Sequence, residues 1–153
     1  MEPRELVELR EITMENFREC IRTDVAEHQR GFVASNMYSL AEAKADGVSI
    51  PLAIYANGAM VGFTMYNFDS ASSVGCIDRL MVAAEHQRHG YGRAAMLQVI
   101  GRLRNTEGCV KIRTSFKPSN AVADALYESL GFRRTGEVDE GETVVVLEVP
   151  ADQ

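Results

Sequence analysis

Residues 85–96 read EHQRHGYGRAAM. The run before them, VGCIDRLMV (74–82), has the composition of a strand. The run after them is made of good helix formers, with Met96, Val99, Ile100 and Leu103 at i, i+3, i+4 and i+7. Gly90 and Gly92, flanked by Arg88 and Arg93, therefore stand at a strand-to-helix junction. The first turn of a helix has N–H groups with no intrahelical partner, and its dipole favours negative charge. Glycine lets an anion approach without a Cβ in the way. The junction thus predicts an anion site.

Spacing excludes two familiar phosphate loops. A Walker loop needs GxxxxGK[ST], which is absent. A dinucleotide fingerprint needs a third glycine, and the residue three after Gly92 is Ala95. On spacing alone a plain turn remains open.

The rest of the chain predicts a frame around this junction. LVELREI (6–12) alternates as a first strand. Thr13 reads as the N-cap of a helix reaching Cys20 or Arg22. SLAEAKADG (39–47) reads as a helix with a Ser39/Glu42 capping box and a stop at Gly47. IPLAIYANGAMVGFTMYNF is a hairpin pattern joined through Asn57-Gly58. CVKIRTSF (109–116) is a strand. Ala123, Leu126, Tyr127 and Leu130 repeat a helical stripe, ended by Gly131. A short strand over 132–138 and ETVVVLEV (142–149) close the chain. The order β-α-α-β-β-β-α-β-α-β-β predicts one domain over 1–153, of α/β (α+β mixed) class, with a mixed sheet and helices on both faces.

Charge and cysteine usage narrow the function. The net charge of −6 argues against a general nucleic-acid binder. Residues 79–117 hold eight of the sixteen Lys and Arg but only two acids, Glu85 and Glu107. The first fifty residues carry ten acids, and the tail from Glu137 carries six. The middle is suited to an anion and the flanks to a cation. Cys20, Cys76 and Cys109 form no CxxC pattern, so no metal site is expected, and Cys76 reads as a core thiol. No apolar run is long enough for a membrane span, and the N-terminus lacks a signal-type apolar region. A cytoplasmic setting with no membrane partner is expected.

QRHGYG (87–92) matches the Q/R-x-x-G-x-G/A signature of the GNAT superfamily of N-acetyltransferases. SNAVADALYESLGF (119–132) resembles that family's second motif: an Asn, a helix, a Tyr, then LGF. The order of elements is also similar, with the family's mostly antiparallel central sheet. EHQRGFVASNMYSLAEA (27–43) and SFKPSNAVADALYESLGFRRTGEVDEGE look like bacterial diamine acetyltransferases acting on spermine and spermidine.

The resemblance implies direct acetyl transfer from acetyl-CoA to a small cationic amine, a polyamine or diamine. It implies that the backbone N–H groups of Arg88, His89, Gly90, Tyr91, Gly92 and Arg93 hold the pyrophosphate, with Gln87 opening the same cofactor turn. Leu80, Met81 and Val82 would pair with the pantetheine arm, and a backbone donor near Val82 would serve the oxyanion. Asn120 would bind the pantetheine, an N-cap role being compatible. Many relatives are dimers, so a homodimer is the expected assembly. Acetylation of a protein N-terminus, a lysine or an aminoglycoside, and a non-catalytic acyl-CoA sensor, are the alternatives.

Transfer to an amine needs a neutral nucleophile, donors for an oxyanion, and a proton for the departing thiolate. The resemblance implies that Tyr127, four residues before Gly131 as in the family motif, is the acid; a core aromatic is the other reading. Asp78 is the candidate base or amine ligand, since alternation places it with Cys76, Leu80 and Val82 on one face of a strand. An ion pair with Arg79 or another Arg is its alternative. His86 and His89 flank the turn and read as surface histidines. For the acceptor, Glu27, Asn36, Tyr38 and Glu42 precede the second strand and Asp69 follows the third. Phe32 and Tyr38 could make cation–π contact. Glu42 could equally be only a capping-box partner.

Overall fold

Asn57 and Gly58 adopt φ of 52° and 81°, the pair of positive values that a two-residue hairpin turn requires. They join β2 (Ile50–Ala56) to β3 (Ala59–Asp69). The computed structural model describes residues 2–150. β1 (Glu8–Glu11) pairs with β2, and β3 continues the meander into β4 (Val74–Val82). Next come α3 (Tyr91–Arg104), β5 (Lys111–Phe116), α4 (Ala121–Ser129), β6 (Arg133–Asp139) and β7 (Glu142–Glu148). α1 (Phe17–Arg22) and α2 (Asn36–Asp46) lie between β1 and β2. The seven strands form one sheet in the order β1-β2-β3-β4-β5-β7-β6. β4–β5 is parallel, and the other ladders are antiparallel. A parallel pair needs a crossover, and α3 supplies it.

Each face of the sheet carries its own apolar core. On one side Met96, Val99 and Leu103 of α3 are fully buried with Ile54, Ile112 and Tyr127. Burying such side chains contributes about 1.5–3 kcal/mol each. On the other side Cys20 and Ala43 of α1 and α2 pack with Phe63, Met65 and Met81. The expected mixed sheet with helices on both faces is what the chain forms.

Local boundaries differ where side chains choose other partners. Asn16, not Thr13, is the N-cap residue of α1, and its Oδ1 accepts from Thr13 N. The cap of α2 is Ser35, four residues before the expected Ser39, because Ser35 Oγ accepts from Tyr38 N. Ser39 is instead fully buried, donating to the Ser35 carbonyl at 3.0 Å. Glu42 is accordingly not a capping partner; it pairs with Arg79 at 2.7 Å.

The strict alternation expected along β4 also fails. Met65 faces Arg79 and Tyr66 faces Ile77, so Asp78 is an extra residue, a β-bulge. Beyond the bulge the faces exchange. Leu80 packs with the α3 core, whereas Asp78 accepts a hydrogen bond from Asn67 and Arg79 reaches α2. Asp78 is thereby separated from Leu80 and Val82, with which alternation had grouped it.

Candidate active site

β4 and β5 pair only over Val74–Ile77 and Lys111–Thr114. β4 continues to Val82, so Asp78–Val82 have no strand on their β5 side. Thr114 Oγ1 marks the parting point by donating to the Ile77 carbonyl at 2.8 Å. At the far end Gln87 Nε2 donates to the Val82 carbonyl at 2.9 Å. Between them lies a length of open strand edge, which an extended ligand can join as an added strand. The gap opens into a cleft of about 960 Å³.

The glycine turn closes one end of this cleft. Gly90 is the N-cap of α3 at φ 82°, a conformation that costs an L-residue roughly 1–2 kcal/mol. Arg88 also has a positive φ, 71°. Ala94 N is the first helical donor to find a carbonyl, that of Gly90 at 3.0 Å. The N–H groups before it are the orphans of the helix start. Gly92 differs from Gly90. Its φ is ordinary, and an added Cβ would meet Val82 Cγ2 at 3.6 Å, a normal contact. Gly90→Ala is therefore expected to lower stability by about 1–2 kcal/mol, whereas Gly92→Ala is close to neutral; urea unfolding of both variants checks this. Of the side chains, Arg93 donates to Ser129 Oγ at 2.6 Å and ties α3 to α4. Arg88 and His89 are exposed, and His89 lies 5.5 Å from the Tyr91 ring. His86, expected at the surface, is half-buried and lines the cleft.

Tyr127 lines the cleft from α4. Its ring is held between Phe116, 6.2 Å away, and Phe132, 5.3 Å away and edge-on. Burial pushes the phenol up to about 12, against a smaller opposing effect of the Thr114 hydroxyl. The group is thus protonated throughout the neutral range. Asn120 caps α4, its Oδ1 accepting from Ala123 N at 3.2 Å, and it too lines the cleft.

Asp78 occupies the bulge on the opposite face of the sheet. Its carboxylate is open to the cleft, with Asn67 Nδ2 donating to Oδ2 at 2.6 Å. Desolvation by the surrounding walls raises its carboxyl above the ordinary value, with the Arg79 guanidinium opposing. Arg79 is itself anchored three ways: to Ser39 Oγ, to Glu42, and to the carbonyl of Asp78. The alternative for Asp78, an ion pair with Arg79, is not formed: Arg79 contacts its backbone carbonyl. Cys76, expected in the core, is half-buried on the cleft wall, and burial pushes its thiol up.

The six acceptor candidates are not brought together. Phe32 lines the cleft. Glu27 does not, although its neighbours His28 and Gln29 do. Asn36 is 4% exposed and its amide is spent on the carbonyls of Cys20 and Thr23. Tyr38 is exposed on α2, Glu42 is held by Arg79, and Asp69 stabilises its own turn through Ala71 N and Ser72 Oγ. The cleft takes its further acids from the β6–β7 hairpin: Asp139, Glu140 and Glu142. Arg113 pairs with Asp139 at 3.2 Å, and Ser115 Oγ donates to Glu142 at 2.8 Å. The acidic tail was visible in the sequence, but only the sheet order shows that its hairpin lies beside β5. Thr114 and Asn67 carried no sequence signal, because sheet pairing sets Thr114 opposite Ile77 where the strands part, and Asn67, opposite Cys76, reaches Asp78 beside the bulge.

A split sheet, a glycine turn at a helix start and a buried tyrosine beside the split meet in one cleft. Residues 6–132 match the acetyltransferase (GNAT) family, and the chain belongs to that family of N-acetyltransferases. A spermine/spermidine N(1)-acetyltransferase from Bacillus subtilis (strain 168) is 27% identical over 150 residues, covering 94% of this chain and 99% of the relative. The fold is shared with spermidine N-acetyltransferase from Vibrio cholerae in complex with CoA and spermine. Its TM-score is 0.76 at 15% identity, over 95% of this chain and 96% of that one. An aminoglycoside acetyltransferase in complex with coenzyme A and kanamycin gives a TM-score of 0.78 at 21% identity, over 93% and 94%. Among the described residues no helix is long and apolar enough to cross a membrane.

Proposed function

We propose that the chain transfers the acetyl group of acetyl-CoA to a primary amine of a small polyamine or diamine such as spermidine or spermine. The observation that carries this reading is the gap between β4 and β5, with Tyr127 on one face of the sheet and Asp78 on the other. The residues present fit acetyl-CoA. The orphan N–H groups around Gly90 suit a pyrophosphate, and the open edge Asp78–Val82 suits an extended arm. Asn120 has its amide NH2 to offer from the α4 cap. Acetyl-CoA supplies the acetyl thioester.

The protein's residues supply the rest. Asp78 accepts a proton from the acceptor ammonium, directly or through a water, and is the better base for its raised pKa. Tyr127 Oη holds a proton on the α4 side, where a thiolate would depart, and a phenol at about 12 stays protonated until that moment. Because the two groups lie on opposite faces, proton removal and proton delivery are separated across the gap. Phe32 offers a ring to a cationic chain. Glu140 and Glu142 line the cleft, and in this reading they hold a second ammonium of an acceptor with two charges. Glu140→Gln with Glu142→Gln is expected to raise the KM for spermidine about two- to fivefold, as expected of exposed ion pairs. The KM for acetyl-CoA should hold; steady-state kinetics in both substrates checks this.

The function is tested by following thiol release from acetyl-CoA with spermidine, spermine, a lysine peptide and an aminoglycoside. Turnover with the polyamines and not the peptide supports the reading. Preferred turnover of the aminoglycoside would redirect it, and a rise in Tm with acetyl-CoA without turnover on any amine would make the chain a sensor.

A further inference from the structure

Gln29 belongs to the short 3-10 turn Glu27–Gln29 that precedes α2, far in sequence from the glycine turn. Its side chain nevertheless meets that turn. Gln87 Nε2 donates to Gln29 Oε1 at 2.6 Å, and Gln29 Nε2 donates back to Gln87 Oε1 at 3.3 Å. The same Gln87 Nε2 donates to the Val82 carbonyl. Gln29 Oε1 also accepts from Ala26 N at 3.2 Å, closing its own turn, and the Gln29 carbonyl accepts from Phe32 N. One amide pair therefore joins three things: the end of the open β4 edge, the start of the anion turn, and the segment 25–34 that walls the cleft through Phe32, Val33 and Ala34.

We propose that Gln29 is a positioning residue that couples the acceptor wall to the cofactor turn. The proposal rests on the reading that the turn Gln87–Arg93 receives the pyrophosphate of acetyl-CoA. Fixing that turn fixes the Gln87 amide between Val82 and Gln29. The wall then loses freedom before the acceptor arrives, so the acceptor meets an ordered Phe32. The pair is uncharged, so the coupling is independent of pH near neutrality.

Hydrogen exchange of segment 25–34, measured with and without coenzyme A, tests this together with thermal shift. In the native chain coenzyme A should raise Tm and slow exchange in the segment. In Gln29→Met, which keeps length and loses the amide, the Tm rise should persist while the slowing disappears. The KM for the amine should rise about fivefold with kcat nearly unchanged. Gln29→Glu keeps the acceptor for Gln87 and Ala26 and should retain most of the slowing. A native chain whose Tm rises with no slowing at 25–34, or a Gln29→Met chain that slows as the native does, would overturn the proposal. Absence of any Tm rise in the native chain would instead strike the cofactor reading.

Discussion

Tyr127→Phe is expected to reduce turnover by about 10²- to 10³-fold, the usual worth of a positioned acid, while acetyl-CoA still raises Tm. The substitution keeps the ring that packs against Phe116 and Phe132 and removes only the hydroxyl beside Thr114. Packing is therefore conserved, and a loss of activity cannot be ascribed to a collapsed core. The same variant has a stability signature. The native phenol titrates at about 12, above its value of 10.0 in the unfolded chain. A raised pKa gives a contribution that is complete below the unfolded value and lost as pH rises through the folded one. The native chain should thus lose stability between about pH 10 and 12 through this group, and Tyr127→Phe should lose less across that window. Thermal melts at stepped alkaline pH read this, and stopped-time thiol release reads the turnover. Unchanged turnover in a folded variant would make Tyr127 a packing residue.

The elements that could be read from the sequence are those whose signal is local. Asn57-Gly58 dictates its own turn, Gly47 stops α2 by adopting φ 71°, and VGCIDRLMV is β4 from end to end. The glycine turn at the start of α3 was legible for the same reason, although of its two glycines only Gly90 is demanded by its backbone. What depended on pairing across the sheet was not legible. The bulge at Asp78 exists because β3 and β4 differ by one residue between two paired positions, and no single-strand pattern records that. Asn36 is polar and lies in the right segment, yet two carbonyls of α1 and its exit use up its amide. The acids that line the cleft come from the last hairpin because the sheet order places β7 between β5 and β6. That swap is a property of topology. Read along the chain, the acids between the first and second strands and Asp69 after the third point to an acceptor wall, and nothing local to the last hairpin places its acids in the same cleft.

Asp78→Asn should separate catalysis from stability in opposite directions. Turnover is expected to fall about 10²-fold or more for loss of a general base. The fold should be retained, because the new side-chain oxygen can still accept from Asn67 Nδ2, and Arg79 binds the Asp78 carbonyl, not the carboxylate. Stability should rise at neutral pH. Desolvation raises the native carboxyl above 3.8, with Glu42 adding to the rise and Arg79 and Asn67 opposing it. The folded chain therefore favours the protonated form. Whatever the neutral carboxyl contributes is complete below the unfolded value and lost as pH climbs through the folded one. At pH 7 the native chain carries the cost of the ionised group and the Asn variant does not, so Tm should be higher in the variant and the gap should close in acid. Such an exchange of stability for activity is what a strained or desolvated catalytic group entails. The kinetics carry the matching sign. A base must be deprotonated, so the acid limb of kcat/KM should lie at higher pH than an ordinary aspartate would give, and Asp78→Asn should abolish that limb in the residual activity. If the limb survives the substitution unchanged, the base is another group, and Asp78 is left as a ligand for the ammonium.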